Sequence, residues 1–506
     1  MNFKKIIGAA ALSVAAVGLA ACGGNQTTST VQPKSTPSKG TSTPSTSKST
    51  SYTSVPRGTT QSGKIKFYAS SGDNLKPVLQ LAIAQFQAAC PGWTVDLQTP
   101  GGYDAINEKI NADLMAEQQP NLAFCYGDHV AGYLKSGKVL DFDPYINDGE
   151  YGLSADDIQQ MKAAGYYDEG TVFAQEGRFT MPLNKSTDIV YINKTVCDPV
   201  FKKLGIDPDN HVNWTWDKLW EAGAELKRMY PSSTPIGYDS EANWAITYLE
   251  QVSKQSGKKL YTDKDKAGAD KIQFNNDETF NMFKMAYDQR QKGVLTTKGV
   301  SGSYTSGLFV KYDQSKESDS KYASSYDGSF ISIGSSGGAS HQKPANSSAF
   351  TVSVAESPSI DGTDNTLKMI SQGPSLVMFD SGDDAVNLHT WMFTTILLSK
   401  EIQAAYALAS EGYSPVRADA TALVLSNENC SEINKTVLAL IEKITANNGA
   451  RNIFYTSDCF DGSAISRVQL GNALIAVLKD TSGKDPEDLI DSALQTAADE
   501  ARTYAK

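Results

Sequence analysis

Histidine is scarce in this chain, with four in 506 residues, and cysteine is nearly so, with six. No Cys-x-x-Cys and no Cys/His pair at zinc-site spacing occurs, so no structural zinc is expected. Asp263, Asp265 and Gly268 hint at a calcium loop. Ala267 replaces a ligand there, and Phe274 stands where the bidentate Glu belongs. Neither a metal nor a cofactor is expected. Positive charge is also short: the formal net charge is -11. Acids and bases are interspersed, whereas a nucleic-acid partner would want a basic face. After residue 22 no uncharged apolar run approaches ~18 residues, so no second helical membrane anchor is expected.

What is present starts at the N-terminus. Met1 to Ala21 has a basic start at Lys4 and Lys5, then an uncharged apolar run from Ile6 to Ala20. That is the layout of a secretory signal, too short and wrongly flanked for a stable span. Leu19-Ala20-Ala21-Cys22, followed by Gly23-Gly24, resembles the lipobox of bacterial lipoproteins. The resemblance implies cleavage before Cys22 and diacylation of its sulfur. An ordinary secretory signal with an incidental Cys22 is the plainer alternative. With the lipid, the protein is expected on the extracellular face of the cytoplasmic membrane, in a Gram-positive-type envelope.

Residues 22–63 are expected to be a tether. Ser, Thr, Pro, Gly and Gln dominate, with almost no large apolar side chain. Such a stretch buries too little surface to offset the entropy of ordering. By random-coil scaling ~40 residues span on the order of 35 Å. With Cys22 acylated, Cys90, Cys125, Cys197, Cys430 and Cys459 remain. An odd number leaves at least one unpaired, and Cys430–Cys459 is the first pairing to test.

The remaining ~440 residues exceed one compact core and suffice for two lobes. Lys64-Ile65-Lys66-Phe67 alternates at period two, as a strand does. Leu75, Val78, Leu79, Ala82 and Phe86 share one helical face, ended by Pro91-Gly92. Trp93, Val95 and Leu97 alternate again. Ile106, Ile110 and Leu114 mark a second helix, and Asn121 to Tyr126 a third strand. Strand and helix in alternation predict an α/β lobe with a mainly parallel sheet. Ligands of such sheets sit beyond the carboxyl ends of the strands. Later, Thr279 to Lys292 reads as an amphipathic helix closed by Gly293, and Ser329 to Ile333 as a strand. The segment from Ser463 is largely helical in pattern.

Several blocks, in order, resemble the extracellular solute-binding proteins of ABC importers. They are Pro120-Asn121-Leu122-Ala123-Phe124 with Asp128, then Leu134 to Leu140, and Asp143-Pro144-Tyr145-Ile146. Met181 to Thr187, Val190 to Lys194, Trp214 to Leu219, Ser371 to Val377, Gln403-Ala404-Ala405 and Glu411 to Arg417 continue the series. The resemblance is to the family 1 branch that takes up sugars, oligosaccharides and glycerol phosphates. It implies a two-lobed periplasmic-binding-protein-like fold of type II, closing on its ligand by a hinge. The first lobe would be residues 64–183 with 372–414, and the second 184–371 with 415–506. The partners implied are a small solute and a membrane permease, with the receptor a monomer and no enzyme.

Binding a sugar needs hydroxyl partners and a flat apolar platform. Asp73 and Asp128, at strand ends of the first lobe, are candidate acceptors; each also fits an Asx-turn or helix cap. Ser70 and Ser71 divide evenly between cap and contact. The resemblance puts Trp244 where a stacking ring is often offered, although core packing suits it equally. It also places ligand contacts at Gly334, Ser335 and Ser336, where small residues let the backbone approach closely. Arg467 is a further candidate, for a phosphate or vicinal hydroxyls, with a plain surface arginine as alternative. Arg417 is assigned to the hinge.

Two other readings compete. Gly334-Ser335-Ser336-Gly337-Gly338 fits the nucleophile elbow of serine hydrolases, with His389 to complete the triad. An elbow must enter a helix at once, and Pro344 leaves little room. An adhesive or sensory lipoprotein would share the anchor but would not need the ordered blocks.

Overall fold

The computed structural model describes residues 54–505, apart from 71, 73, 347, 364, 365 and 452 and the side chains of 211 and 447–451. Cys22, the expected signal, most of the expected tether, Ser71 and Asp73 lie outside the described residues.

The first sheet has five strands, in the order Trp93–Gln98, Gly63–Tyr68, Leu122–Cys125, Ser375–Met378, Met181–Pro182. The first three pair in parallel, Ile65 opposite Val95 and Phe67 opposite Leu122. Helices Lys76–Ala89 and Tyr103–Met115 make the crossovers. Val78, Leu79, Ala82 and Phe86 of the first are buried, as the helical period requires. The late strand Ser375–Met378 returns antiparallel to Leu122–Cys125.

The second sheet runs Val352–Ala355, Asp188–Asn193, Ile331–Ser335, Ile236–Tyr238, Leu295–Thr297. It is mixed: Asp188–Asn193 is antiparallel to both neighbours, and the last three strands are mutually parallel. The helix read from Thr279 starts at Asp277, because Asn276 caps it, accepting from the Glu278 and Thr279 N–H groups at 3.0 Å each. Helices Ser463–Lys479 and Pro486–Tyr504 pack on each other and on this lobe. Each sheet has its own apolar core. Between them lie short ladders: Asn184–Lys185 with Ser414–Pro415, Met369–Ile370 with Phe454–Tyr455, and a bridge from Ser186 to Gln372.

The expected disulfide does not form. All five described cysteines are free and buried. Cys430 packs in a small cluster with Leu408, Val424 and Leu438, while Cys459 packs against the first-lobe core.

The tether ends sooner than residue 63. Composition offers no apolar run before Lys64, yet Val55 is buried against the first lobe. Asp148 is what holds it. Its carboxylate accepts from the Val55 N–H and the Arg57 guanidinium at 2.9 Å each, and from the Glu150 and Tyr151 N–H groups at 2.9 and 2.8 Å. The Arg57 guanidinium also lies 4.7 Å over the Tyr151 ring. Thr60 donates to Asp383 at 2.6 Å. Burial opposes ionisation of Asp148, but Arg57 and the three N–H groups outweigh it and hold the carboxyl well below the usual carboxylate range. This stabilisation is therefore present above the unfolded value of pH ~4 and is lost as pH falls through the depressed folded one. Asp148→Asn should raise amide exchange in residues 54–62 about tenfold or more, equivalent to one charge-assisted hydrogen bond of about 1.5 kcal/mol. Unchanged exchange at neutral pH would show that the strap is held by something else.

Candidate functional site

A cleft between the lobes holds two chambers. The first, about 480 Å³, is lined by Tyr126, Asp128 and His129 from one side and by Ser457, Arg467 and Val468 from the other. The second, about 790 Å³, is lined by Asp188, Asp239, Lys298, Tyr304, Ser335, His341 and Tyr413. Gln372 and Arg467 line both.

The first chamber is built on the end of Leu122–Cys125, where helix Gly127–Tyr133 begins at once. Asp128 therefore sits in the first helical turn, where the dipole favours a carboxylate. One of its oxygens accepts from the His129 N–H at 3.0 Å. At the chamber floor Glu169 pairs with Lys185 at 2.7 Å, both nearly buried. Ser371 donates to Glu169, and the Lys185 ammonium donates to the Gly373 carbonyl at 3.3 Å. The hinge strands are thus held by a desolvated ion pair whose spare valences are filled.

The second chamber lies beyond Ile331–Ser335. Gly334 itself is in the strand, opposite Ile189; a Cβ there would come within 2.8 Å of Asp239 Oδ2. Asp239 accepts from the Thr305 N–H at 2.6 Å and its hydroxyl at 2.7 Å. Ser335 faces the chamber and accepts from the Gly337 N–H at 3.1 Å. Ser336 turns away: it is buried and accepts from the Thr187 N–H at 3.2 Å. Gly337 lies under the Tyr413 ring, 2.9 Å from where its Cβ would be. Of the glycine-rich candidates, then, Ser335 lines the chamber and Gly334 and Ser336 support it from behind.

Trp244 does not offer a platform. It is fully buried, stacked on Tyr238 at 5.2 Å and 14°, with Trp216 and Trp220 at 5.8 and 5.9 Å. Core packing took it: the Tyr238, Trp216 and Trp220 rings enclose it, and Ala245, Leu249 and Val252 of the same helix, Glu241–Ser256, are buried too. Its neighbour Asn243 is the residue that reaches the cleft. Asn243 donates to Asp188 at 3.2 Å and to Gln372 Oε1 at 2.9 Å. Its carbonyl oxygen accepts from Gln372 Nε2 at 2.8 Å and from the Arg467 guanidinium. Both N–H groups and both lone pairs are used. Arg467 is thereby aimed into the cleft. Ser70 lines neither chamber.

Asp188 is buried beneath this node. Burial foremost pushes its carboxyl up to about 6, against the Asn243 N–H, the Arg467 charge and the Tyr238 hydroxyl at 3.3 Å. Burial likewise raises Asp239. Asn243, Gln372, Asp188, Glu169 and Tyr304 were missed from sequence. Gln372 and Lys185 lie inside quoted blocks, which is a signal; Tyr304 lies in a loop with none.

The nucleophile elbow suggested at Gly334–Gly338 does not meet His389. Ser336–Gln342 is a 3-10 helix, and Ser336 is buried. His389 stacks on Trp93 at 3.8 Å in the first lobe, its ring bonded to the Ala385 carbonyl at 2.7 Å. Among the described residues no group of three or more His, Cys, Asp or Glu is placed to hold a metal ion. Arg417 pairs with Asp157 and Asp419 rather than facing the cleft.

Two α/β lobes joined by hinge ladders around a polar cleft define a two-domain solute-binding protein. A family model described as bacterial extracellular solute-binding protein matches residues 82–430, more than half of the chain. The chain belongs to that family, whose members act on the extracellular or periplasmic side. No curated protein matches it by sequence. Its fold is similar to that of an ABC substrate-binding protein from Listeria monocytogenes in complex with cycloalternan, at TM-score 0.60 and 15% identity, covering 87% of this chain and 98% of that one. UgpB from Mycobacterium tuberculosis in complex with glycerophosphocholine gives 0.57 and 17%, covering 87% and 99%. The maltose/maltodextrin-binding domain from Bdellovibrio bacteriovorus bound to maltotriose gives 0.57 and 13%, covering 87% and 99%.

A folded value above the unfolded one gives stability that is complete below the unfolded value and lost as pH rises through the folded one. Between pH ~4 and about 6 the Asp188 contribution therefore falls with rising pH. Asp188→Asn should flatten that segment of the stability profile, measured by denaturant unfolding at successive pH values. An identical slope in the variant would contradict the assignment.

Proposed function

We propose that this protein captures a neutral carbohydrate between its lobes and hands it to the permease of an ABC importer. The observation that carries the reading is the composition of the cleft. Asp104, Asp128, Glu169, Asp188 and Asp239 line it, against Lys185, Lys298 and Arg467. Lys185 is already paired with Glu169, and Arg467 spends one N–H on Asn243. Acids in excess, with hydroxyls, amides and tyrosines between them, suit a ligand rich in donors. An anion such as glycerol phosphate would meet like charge. Relatives bound to cycloalternan and maltotriose support the same class, while the glycerophosphocholine complex keeps the phosphodiester as the outcome to test against.

The working unit is a monomeric binding protein, not an enzyme. Its first lobe comprises about residues 54–183 with 372–414, and the remainder forms the second. Ligand contacts to both lobes favour closure by their differential energy. A lipid on Cys22 and the Ser/Thr-rich stretch after it keep the receptor at the permease of a single-membrane cell.

A calorimetric panel of sugars, oligosaccharides and glycerol phosphates against the mature protein tests the ligand class. A saccharide should bind, and Asp128→Ala should weaken it about tenfold or more, while leaving the unfolding transition within about 1 kcal/mol. Binding of a phosphate ester with no saccharide binding would replace the reading. Separately, Cys22→Ser should release the protein from cells into the medium, since one spacer without lipid has no membrane affinity. Retention of the variant would remove the anchor from the account.

A further inference from the structure

The lysines and arginine that line the cleft are Lys185, Lys298 and Arg467. Each is matched by a carboxylate partly or wholly withdrawn from water. Lys185 meets Glu169 directly, at 2.7 Å. Burial foremost raises Asp239, and Lys298 stands close enough to act against that rise. Arg467 is matched at one remove. Its guanidinium donates to the Asn243 carbonyl oxygen, and the Asn243 amide nitrogen donates to Asp188 Oδ1 at 3.2 Å.

The polarity of this relay is fixed from both ends. A guanidinium only donates, and an ionised carboxylate only accepts. The single amide between them can therefore face one way, oxygen to Arg467 and nitrogen to Asp188. Gln372 repeats that choice, donating to the Asn243 oxygen at 2.8 Å and accepting from its nitrogen at 2.9 Å.

The relay also joins two opposite charges. Asp188 is 2% exposed, while Arg467 lines both chambers. A charge inside the protein acts on its neighbours far more strongly than one in water. In turn the Arg467 charge favours ionised Asp188. The other titratable groups near Asp188 bring no positive charge. Tyr191, Tyr238 and Tyr455 are phenols that burial, foremost, pushes well above their usual range, and Asp239 is a second carboxyl.

We propose that Asp188 sets the selectivity of the cleft as a positioning residue: its buried charge neutralises Arg467 through Asn243, so that Arg467 offers hydrogen bonds to an uncharged solute without becoming a seat for an anion. This rests on the neutral-ligand reading above and names the residue that enforces it. Arginine is otherwise the side chain best suited to a phosphate or sulfate group. With Asp188 uncharged, the same guanidinium becomes such a seat.

The test uses sulfate, whose charge is constant over the range used, titrated by calorimetry at fixed ionic strength. Asp188→Asn keeps an oxygen for the Asn243 N–H and removes the charge. At pH ~7.5 this variant should bind sulfate about tenfold or more tighter than the wild-type protein. At pH ~5, below the Asp188 value of about 6, the gap should narrow to about threefold or less, because the wild-type carboxyl is then protonated too. Adding Arg467→Gln should abolish the gain. A second measurement needs no ligand: Arg467→Gln alone should move the Asp188 step of the pH–stability profile to higher pH, since a lost positive charge disfavours the carboxylate. Equal sulfate affinity at pH ~7.5, a gap that persists at pH ~5, a gain that survives Arg467→Gln or an unmoved step would each overturn the inference and leave the carbohydrate reading standing. Tight binding of a phosphate ester by the wild-type protein, with no saccharide bound, would overturn both.

Discussion

The side-chain amide of Asn243 is the point on which the cleft depends. It joins Asp188 below, Gln372 of the hinge segment beside it and Arg467 above, and it has no unused hydrogen-bonding group. A carboxylate buried as Asp188 is would be expensive alone. Here an N–H from Asn243, a hydroxyl from Tyr238 and the nearby Arg467 charge offset part of that cost. The part of the desolvation cost that is not offset shows as the raised carboxyl value. Loss of one member leaves the others buried and unsatisfied, at about 1–3 kcal/mol each. Position is what the network gives in return. Arg467 is held in one orientation between the chambers by an amide oxygen that also accepts from Gln372 of the hinge segment.

Around this node the molecule separates packing from binding. Trp214, Trp216, Trp220 and Trp244 are sunk in the second core, where large rings contribute most. The cleft is left to tyrosines, carboxyls, amides and hydroxyls. Hinge strands beside it carry the Glu169–Lys185 pair, desolvated but saturated. Ion pairs Lys135–Asp461 and Lys343–Glu411 join the lobes at the cleft rim. They are partly exposed and worth little individually, so they do not lock the lobes.

The alternation of strand and helix in the first lobe was legible because two periods, 2 and 3.6, write themselves into the order of apolar residues. The cleft's position was legible for a related reason: parallel strands end where Asp128 lies. Individual contacts were not. Asn243 and Trp244 are adjacent on one helix, and about 100° of rotation decides which meets the core. The placement of the Tyr238, Trp216 and Trp220 rings fixes that angle. Asp188 opens a strand whose next four residues are Ile, Val, Tyr and Ile, and gives no sign of facing solute. Val55 sits among Ser, Thr and Pro, and nothing nearby in sequence shows that Asp148, over ninety residues on, will capture its N–H. These are long-range pairings, and local pattern carries no trace of them.

In the function proposed above, solute is held by both lobes at once around the Asn243–Gln372–Arg467 node. Hydrogen exchange mapped by mass spectrometry, with and without a saccharide that binds, tests it most directly. Protection should rise together in segments 126–130 of the first lobe and 301–307 and 456–468 of the second. Protection confined to one lobe, or lying outside the cleft, would contradict the account.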